Sequence, residues 1–217
     1  AVRVIVDDST GRRGVSNPIL VLEEQPRETI YFGDLGVRSD FSGGRGSVLE
    51  NLEFARDVGY LDFCCVADQS NLLTPTKWAV SQRQADRVNR EGEFVAFVGY
   101  EWNDAAADDD IQSPGTRTVI GAGDRLPLVN HADTGNSLRQ LWERLGEAAG
   151  VLAFANHPID DASWDQYNPE YETAVEIYSS YGPSENRGAR SVEDEQGRGI
   201  SVEEILSTGA RVFLIGN

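Results

Sequence analysis

Short apolar runs recur along the chain, separated by longer stretches in which apolar residues return every three or four positions. That alternation is the signature of an α/β fold with a largely parallel sheet. The runs predict strands at about 29–32, 61–66, 94–98, 116–121, 151–155, 174–178 and 211–215. Between the first two, a helix N-capped by Ser47 carries Val48, Leu49, Leu52, Phe54, Ala55 and Val58 and stops at Gly59. A second helix opens at Thr74 with Pro75 in its first position and runs to about Arg90. Ser137 caps a third, expected to continue through Ala149, and Ser201 caps a short one ended by Gly209.

Residues 1–27 stand apart. Val4, Val6, Leu20 and Leu22 predict two short strands around the turn-rich stretch 9–18. The expected organisation is therefore the tail of a preceding β-rich region over 1–27, followed by one α/β domain over 28–217, a length that suits a single core. The chain contains no methionine, which implies a processed, trimmed or partial polypeptide, and its start carries neither the charged nor the apolar region of a signal peptide. The default compartment is cytoplasmic. No apolar run approaches the roughly 20 residues of a membrane span.

A formal charge of -17 and a pI near 4.4 oppose binding to nucleic-acid phosphates or an anionic membrane, so neither is an expected partner. Lys77 is the one lysine among 19 basic residues, and acidic runs such as Asp108, Asp109 and Asp110 punctuate the loops. A salt-adapted source and a merely acidic, solvated surface both account for this. The two cysteines, Cys64 and Cys65, are neighbours in an apolar strand, where period-two alternation sends them to opposite faces. They are expected as small core residues, and a disulfide framework or a thiolate zinc site is excluded.

In parallel α/β folds, chemistry gathers where the strands end. The polar residues there are Asp34; Asp68 and Gln69; Glu101 and Trp102; Asn156 and His157; Glu176 and Ser179. Glu176 is the sharpest, because a carboxylate within Ala174-Val175-Glu176-Ile177-Tyr178 needs a cation, a metal or hydrogen-bond donors. His157 suits a metal ligand, a general acid or base, or a satisfied loop histidine, whereas His131, in a polar loop, is expected to be an exposed bystander. Ser42-Gly43-Gly44-Arg45-Gly46 lacks the lysine of a phosphate cradle and is expected to form a tight turn, and no Gly-x-Ser-x-Gly elbow is present.

The order Tyr31-Phe32-Gly33-Asp34-Leu35, then 54–63, then Phe94 to Trp102 with Gly99-Tyr100-Glu101-Trp102, then Val175-Glu176-Ile177-Tyr178-Ser179 with Gly182, Ser184 and Glu185, resembles the PHP (polymerase and histidinol phosphatase) superfamily, in the branch that carries a β region ahead of the metal domain. The resemblance covers about 17–217. It implies a distorted (β/α)7 barrel whose strand ends hold two or three divalent metals, zinc, manganese or iron, for phosphoester hydrolysis.

Carried over residue by residue, the resemblance meets a dismantled site. The first motif's histidine falls on Gly36, with Arg38 two positions on; Thr-Asp-His becomes Ala67-Asp68-Gln69; Gly-His becomes Gly115-Thr116. Glu101 and His157 remain as ligand types, and Asp34 and Asp68 are further carboxylates. The closing Asp-x-His motif falls beyond Leu214-Ile215-Gly216, so the barrel is expected to lack its C-terminal end. Arg38 is expected to pair with Glu101, Asp34 or Asp68 in place of a metal. The implied function is a non-catalytic structural or regulatory subunit beside an intact paralogue, with no cofactor expected. The alternatives are a phosphoesterase-like hydrolase with a reduced site for a divalent zinc, manganese or iron ion, and a small-molecule binding module whose pocket uses Trp102, Asn156, Trp164, Glu176 and Tyr178.

Overall fold

The computed structural model describes all residues except 1, 17–18, 20, 23, 25–28, 103–113, 122–125, 135–136, 147, 149, 189–198 and 217. The acidic run at Asp108, the strand residue Leu20, the helix end at Ala149 and the side chain of His131 fall outside this description. Contacts divide the chain into Ala1–Tyr31 and Phe32–Asn217.

The first unit is a hairpin of β1 (Ile5–Asp7) and β2 (Arg13–Val15), antiparallel with Ile5 opposite Val15. Its second strand comes earlier than the apolar pair Leu20 and Leu22 predicts. The reason is local: Oδ1 of Asp8 accepts from the backbone of Thr10 and Arg12, closing the reversal within a few residues. Ile19 makes only a bridge to Val2.

The second unit is built on one curled sheet. Its strands are β3 (Gly33–Val37), β4 (Phe63–Gln69), β5 (Val95–Trp102), β6 (Arg117–Gly121), β7 (Val151–Ala155), β8 (Glu172–Ser179), the short β9 (Gly182–Pro183) and β10 (Phe213–Gly216). The spatial order is β10-β8-β7-β6-β5-β4-β3, with β9 on β8. Along this order neighbours run parallel except β6, which is antiparallel to both β5 and β7, and β9 pairs antiparallel with β8. Among the described residues β3 and β10 are unpaired edges, so the sheet is an open half-barrel rather than a closed (β/α)7 ring.

The first strand of this unit begins at Gly33, not Thr29. Parallel pairing sets Gly33 against Phe63 and Asp34 against Cys64, which leaves Ile30, Tyr31 and Phe32 exposed ahead of the strand. Pairing partners, not the apolar run alone, determine which residues extend. The helices follow their caps: α1 (Val48–Asp57) has a full Ser47/Glu50 capping box, α2 (Pro75–Val88) is capped by Thr74, α4 (Leu138–Leu145) by Ser137 and α6 (Val202–Ser207) by a Ser201/Glu204 box. Two single turns, α3 (His131–Thr134) and α5 (Pro158–Asp161), complete the set.

Alternation along the strands sorts the core into two faces. One face packs Cys64, Val66, Ala96, Val98, Tyr100 and Val119 against Leu52, Trp78, Val88, Leu141 and Trp142 of the helices. The other, concave, carries Leu35, Cys65, Ala67, Phe97, Ile120, Phe154, Ala174 and Ile215. Cys64 and Cys65 are free, buried and on opposite faces; a Cβ on Gly99 would come within 2.5 Å of Cys65 Sγ, so only glycine fits beneath it. Burial pushes the Cys64 thiol up to about 12 and that of Cys65 well above its ordinary value.

Candidate functional site

The period of two that buries the concave apolar layer also builds the site. Continuing the same face toward the mouth, Phe97 leads to Glu101, Ile120 to Thr118, Phe154 to Asn156 and Ala174 to Glu176. Because β6 runs antiparallel, it presents its beginning rather than its end at this level, and its register sets Thr118 opposite Glu101. These side chains, with Asp34, Gly36, Arg38, Ala67, His157, Ser179, Ser180 and Tyr181, line a cavity of about 300 Å³.

Each of the cavity's acids accepts at least one protein donor. Glu101, buried, receives Arg38 Nη2 at 2.5 Å and Asn156 Nδ2 at 3.3 Å. Thr118 Oγ1 donates to Asn156 Oδ1 at 3.0 Å, fixing that amide's orientation toward Glu101. Arg38 thus pairs with a retained carboxylate, one of the three expected for it. Glu176 accepts the His157 backbone N–H at 2.5 Å. His157 has φ +27°, a left-handed conformation that costs a non-glycine residue on the order of 1–3 kcal/mol, and this charge-assisted bond helps hold it there. Its Nδ1 lies 3.4 Å from Asp160 Oδ2, and its ring packs on Tyr181 with centroids 4.6 Å apart. Asp34 Oδ1 accepts the Gly36 N–H at 2.9 Å.

Asp68 lies apart from this cavity. Its carboxylate accepts the Ser39 N–H at 2.8 Å, Ser39 Oγ at 2.6 Å and the Ser42 hydroxyl, all buried. The loop that makes these bonds turns back on itself so tightly that a Cβ on Gly44 would lie 2.0 Å from the Arg38 carbonyl oxygen. The glycine-rich stretch is therefore a turn that clamps Asp68 and aims Arg38, a role the sequence showed only as a turn.

Several expected pocket residues lie elsewhere. Trp102 follows Glu101 by one position, so it faces the helices and is fully buried in their core. Tyr178 follows Glu176 by two and was expected inward; instead the register between β8 and β10 slips at Ile177, turning Tyr178 out to 58 % exposure and bringing Ser179 to the cavity. Trp164 stacks on Tyr167 in a separate apolar cluster. Gln69 and Thr116 do not line the cavity. Thr118, Ser180 and Tyr181 escaped sequence reading; for Thr118 the period-two spacing from Ile120 was the available signal.

A divalent metal, the cofactor that the resemblance implies, does not fit this donor set. Among the described residues no three His, Cys, Asp or Glu side chains converge as a metal would require. Asp68 accepts three bonds from hydroxyl and amide donors, and Glu101 holds a guanidinium.

No protein-family model matches the chain, and no curated protein matches it in sequence. The fold is similar to that of a two-domain protein of Bacteroides vulgatus ATCC 8482 containing a predicted PHP-like metal-dependent phosphoesterase, with 16% identity and a TM-score of 0.42 over 69% of this chain and 44% of that one. It is also similar to a protein of Bifidobacterium adolescentis ATCC 15703 assigned as a metal-dependent phosphoesterase, with 14% identity and a TM-score of 0.41 over 89% of this chain and 88% of that one.

Proposed function

We propose that this chain is a PHP-like domain that has exchanged its metals for an internal cation and acts as a non-catalytic structural or regulatory subunit beside an intact, metal-dependent paralogue. The observation that carries this reading is the Arg38–Glu101 pair at 2.5 Å. A hydrolytic metal on Glu101 would stand within a few ångströms of that guanidinium. Two unit charges 4 Å apart cost about 4 kcal/mol at an effective dielectric of about 20, and a divalent ion doubles this to about 8 kcal/mol. Such repulsion cancels what one carboxylate at the same distance returns. Arg38 also supplies, without any ion, the positive charge that buried Glu101 needs.

The test is elemental analysis of the purified protein after manganese or zinc loading, with a phosphoesterase assay on the same sample. The expected result is less than stoichiometric metal and no turnover. One equivalent or more of bound metal with turnover overturns the reading in favour of a hydrolase with a reduced site on Glu101, His157 and Asp34. The regulatory part is tested by adding this chain to the paralogue and measuring the paralogue's turnover and their co-elution.

A further inference from the structure

We propose that the cavity at the mouth of the half-barrel binds an amino-acid-sized ligand carrying both a carboxylate and cationic amines, the class of which a basic amino acid is the simplest member. This rests on the preceding reading in one respect, that metals do not fill the cavity.

Three observations converge. First, the cavity holds unspent valences of both signs. Arg38 gives Nη2 to Glu101, while its Nε and Nη1 meet no acceptor among the described residues, and the side chain keeps 31% of its surface open. Asp34 accepts Gly36 on Oδ1, and its Oδ2 meets no donor among the described residues. Both side chains line the same space. A guanidinium edge recognises a carboxylate through two parallel N–H bonds, and a carboxylate oxygen recognises an ammonium.

Second, the charge balance selects the ligand's net sign. Among the described lining residues the carboxylates of Asp34 and Glu101 face the single guanidinium of Arg38, so one acid remains after the internal pair is counted. A phosphate or an acidic amino acid meets that field unfavourably, and a bare divalent ion meets Arg38. A molecule with one carboxylate and two amines satisfies both the edge of Arg38 and the excess of acid.

Third, a volume of about 300 Å³ lies at the small end of ligand pockets, which suits a single amino acid rather than a nucleotide. Tyr181 lies at the rim, 66% exposed, where its ring can cover an aliphatic stem.

The experiment is calorimetric titration of the full chain with L-lysine, L-arginine, cadaverine, L-glutamate and inorganic phosphate. L-lysine and L-arginine are expected to bind saturably, cadaverine about tenfold more weakly because it lacks the carboxylate that Arg38 holds, and glutamate and phosphate not at all. Asp34→Asn is expected to weaken lysine about tenfold, and Arg38→Gln to abolish lysine's advantage over cadaverine, because it removes the partner of the carboxylate that cadaverine lacks. Should Arg38→Gln fail to fold, the lysine–cadaverine comparison on the unaltered chain and the Asp34→Asn variant carry the test. No binding of lysine or arginine, equal binding of glutamate or phosphate, or an unaffected Asp34→Asn variant overturns the proposal. A metal-free, inactive chain that ignores lysine refutes this inference alone; a metal-loaded, active chain refutes the functional reading whatever lysine does.

Discussion

Arg38 stands where the sequence resemblance asks for a metal ligand, and from the end of β3 its guanidinium meets Glu101 on β5, across the one intervening strand β4. Removing it strands a buried carboxylate with, among the described residues, only the Asn156 amide as donor. Breaking a fully buried pair typically costs 3–5 kcal/mol; because Arg38 keeps about a third of its side chain in solvent, Arg38→Met is expected to cost about 2 kcal/mol. Glu101→Gln alone removes the partner but leaves a neutral amide that can still bond. The double variant is therefore expected to be less destabilised than the sum of the singles, by about 1 kcal/mol or more, in urea unfolding. Strict additivity would mean that the two groups, though adjacent, do not stabilise one another, and the idea of a substitute internal cation would fall. At this scale the sequence was readable where charge logic sufficed: an arginine among Asp34, Asp68 and Glu101 had to find one of them. It was unreadable where the answer depended on a third party. Asp68 is taken by Ser39 and Ser42, hydroxyls whose approach depends on the turn at Gly44.

Elements were legible in proportion to how local their signals are. The caps at Ser47, Thr74, Ser137 and Ser201 each act within three residues of themselves, and each appears where the sequence placed it. Strand direction and register are not local. Nothing within 117–121 says that β6 runs against its neighbours, and nothing within 174–178 marks the slip at Ile177. Arg117 was equally hidden: fully buried, it bonds Glu172 at 2.6 Å and the carbonyls of Pro114, Thr116 and Ser163, joining β6 to β8 and to two loops. A pH prediction belongs to α6. There the Arg187 side chain, then the Ser201 backbone N–H, lower the Glu204 carboxyl from 4.5 to about 2. A carboxyl held lower in the folded state contributes stability that is fully present above the unfolded value, near pH 4.5, and is lost as pH falls toward 2. The site is well exposed, so the contribution is at most about 1 kcal/mol. Glu204→Gln is expected to remove that part of the acid limb, making the melting temperature less steep in pH between about 4.5 and 2. An unchanged slope would show that the capping box and the Arg187 pair contribute nothing to folding.

On the scale of the whole molecule the dominant fact is charge: 36 acidic residues against 19 basic ones, for a formal -17. Pairs such as Arg12–Asp8 and Arg13–Asp7 consume few of the acids, and both lie at the surface, where screening leaves them little weight. What remains is like-charge repulsion across a compact body, which disfavours the folded state relative to an expanded chain. Salt acts on exactly the distance over which that repulsion operates: the Debye length falls from about 30 Å at 0.01 M to about 3 Å at 1 M. The melting temperature at neutral pH is therefore expected to rise with sodium chloride, because the repulsion lost outweighs the few surface pairs weakened. The same titration near pH 4.5, where the acids are partly protonated, is expected to give a smaller rise, and this separates screening from any general effect of salt on apolar burial, which does not depend on the protonation of carboxylates. A melting temperature that is flat or falls with chloride at neutral pH, or that rises equally at both pH values, would show that the excess acid is not what limits the stability of this fold.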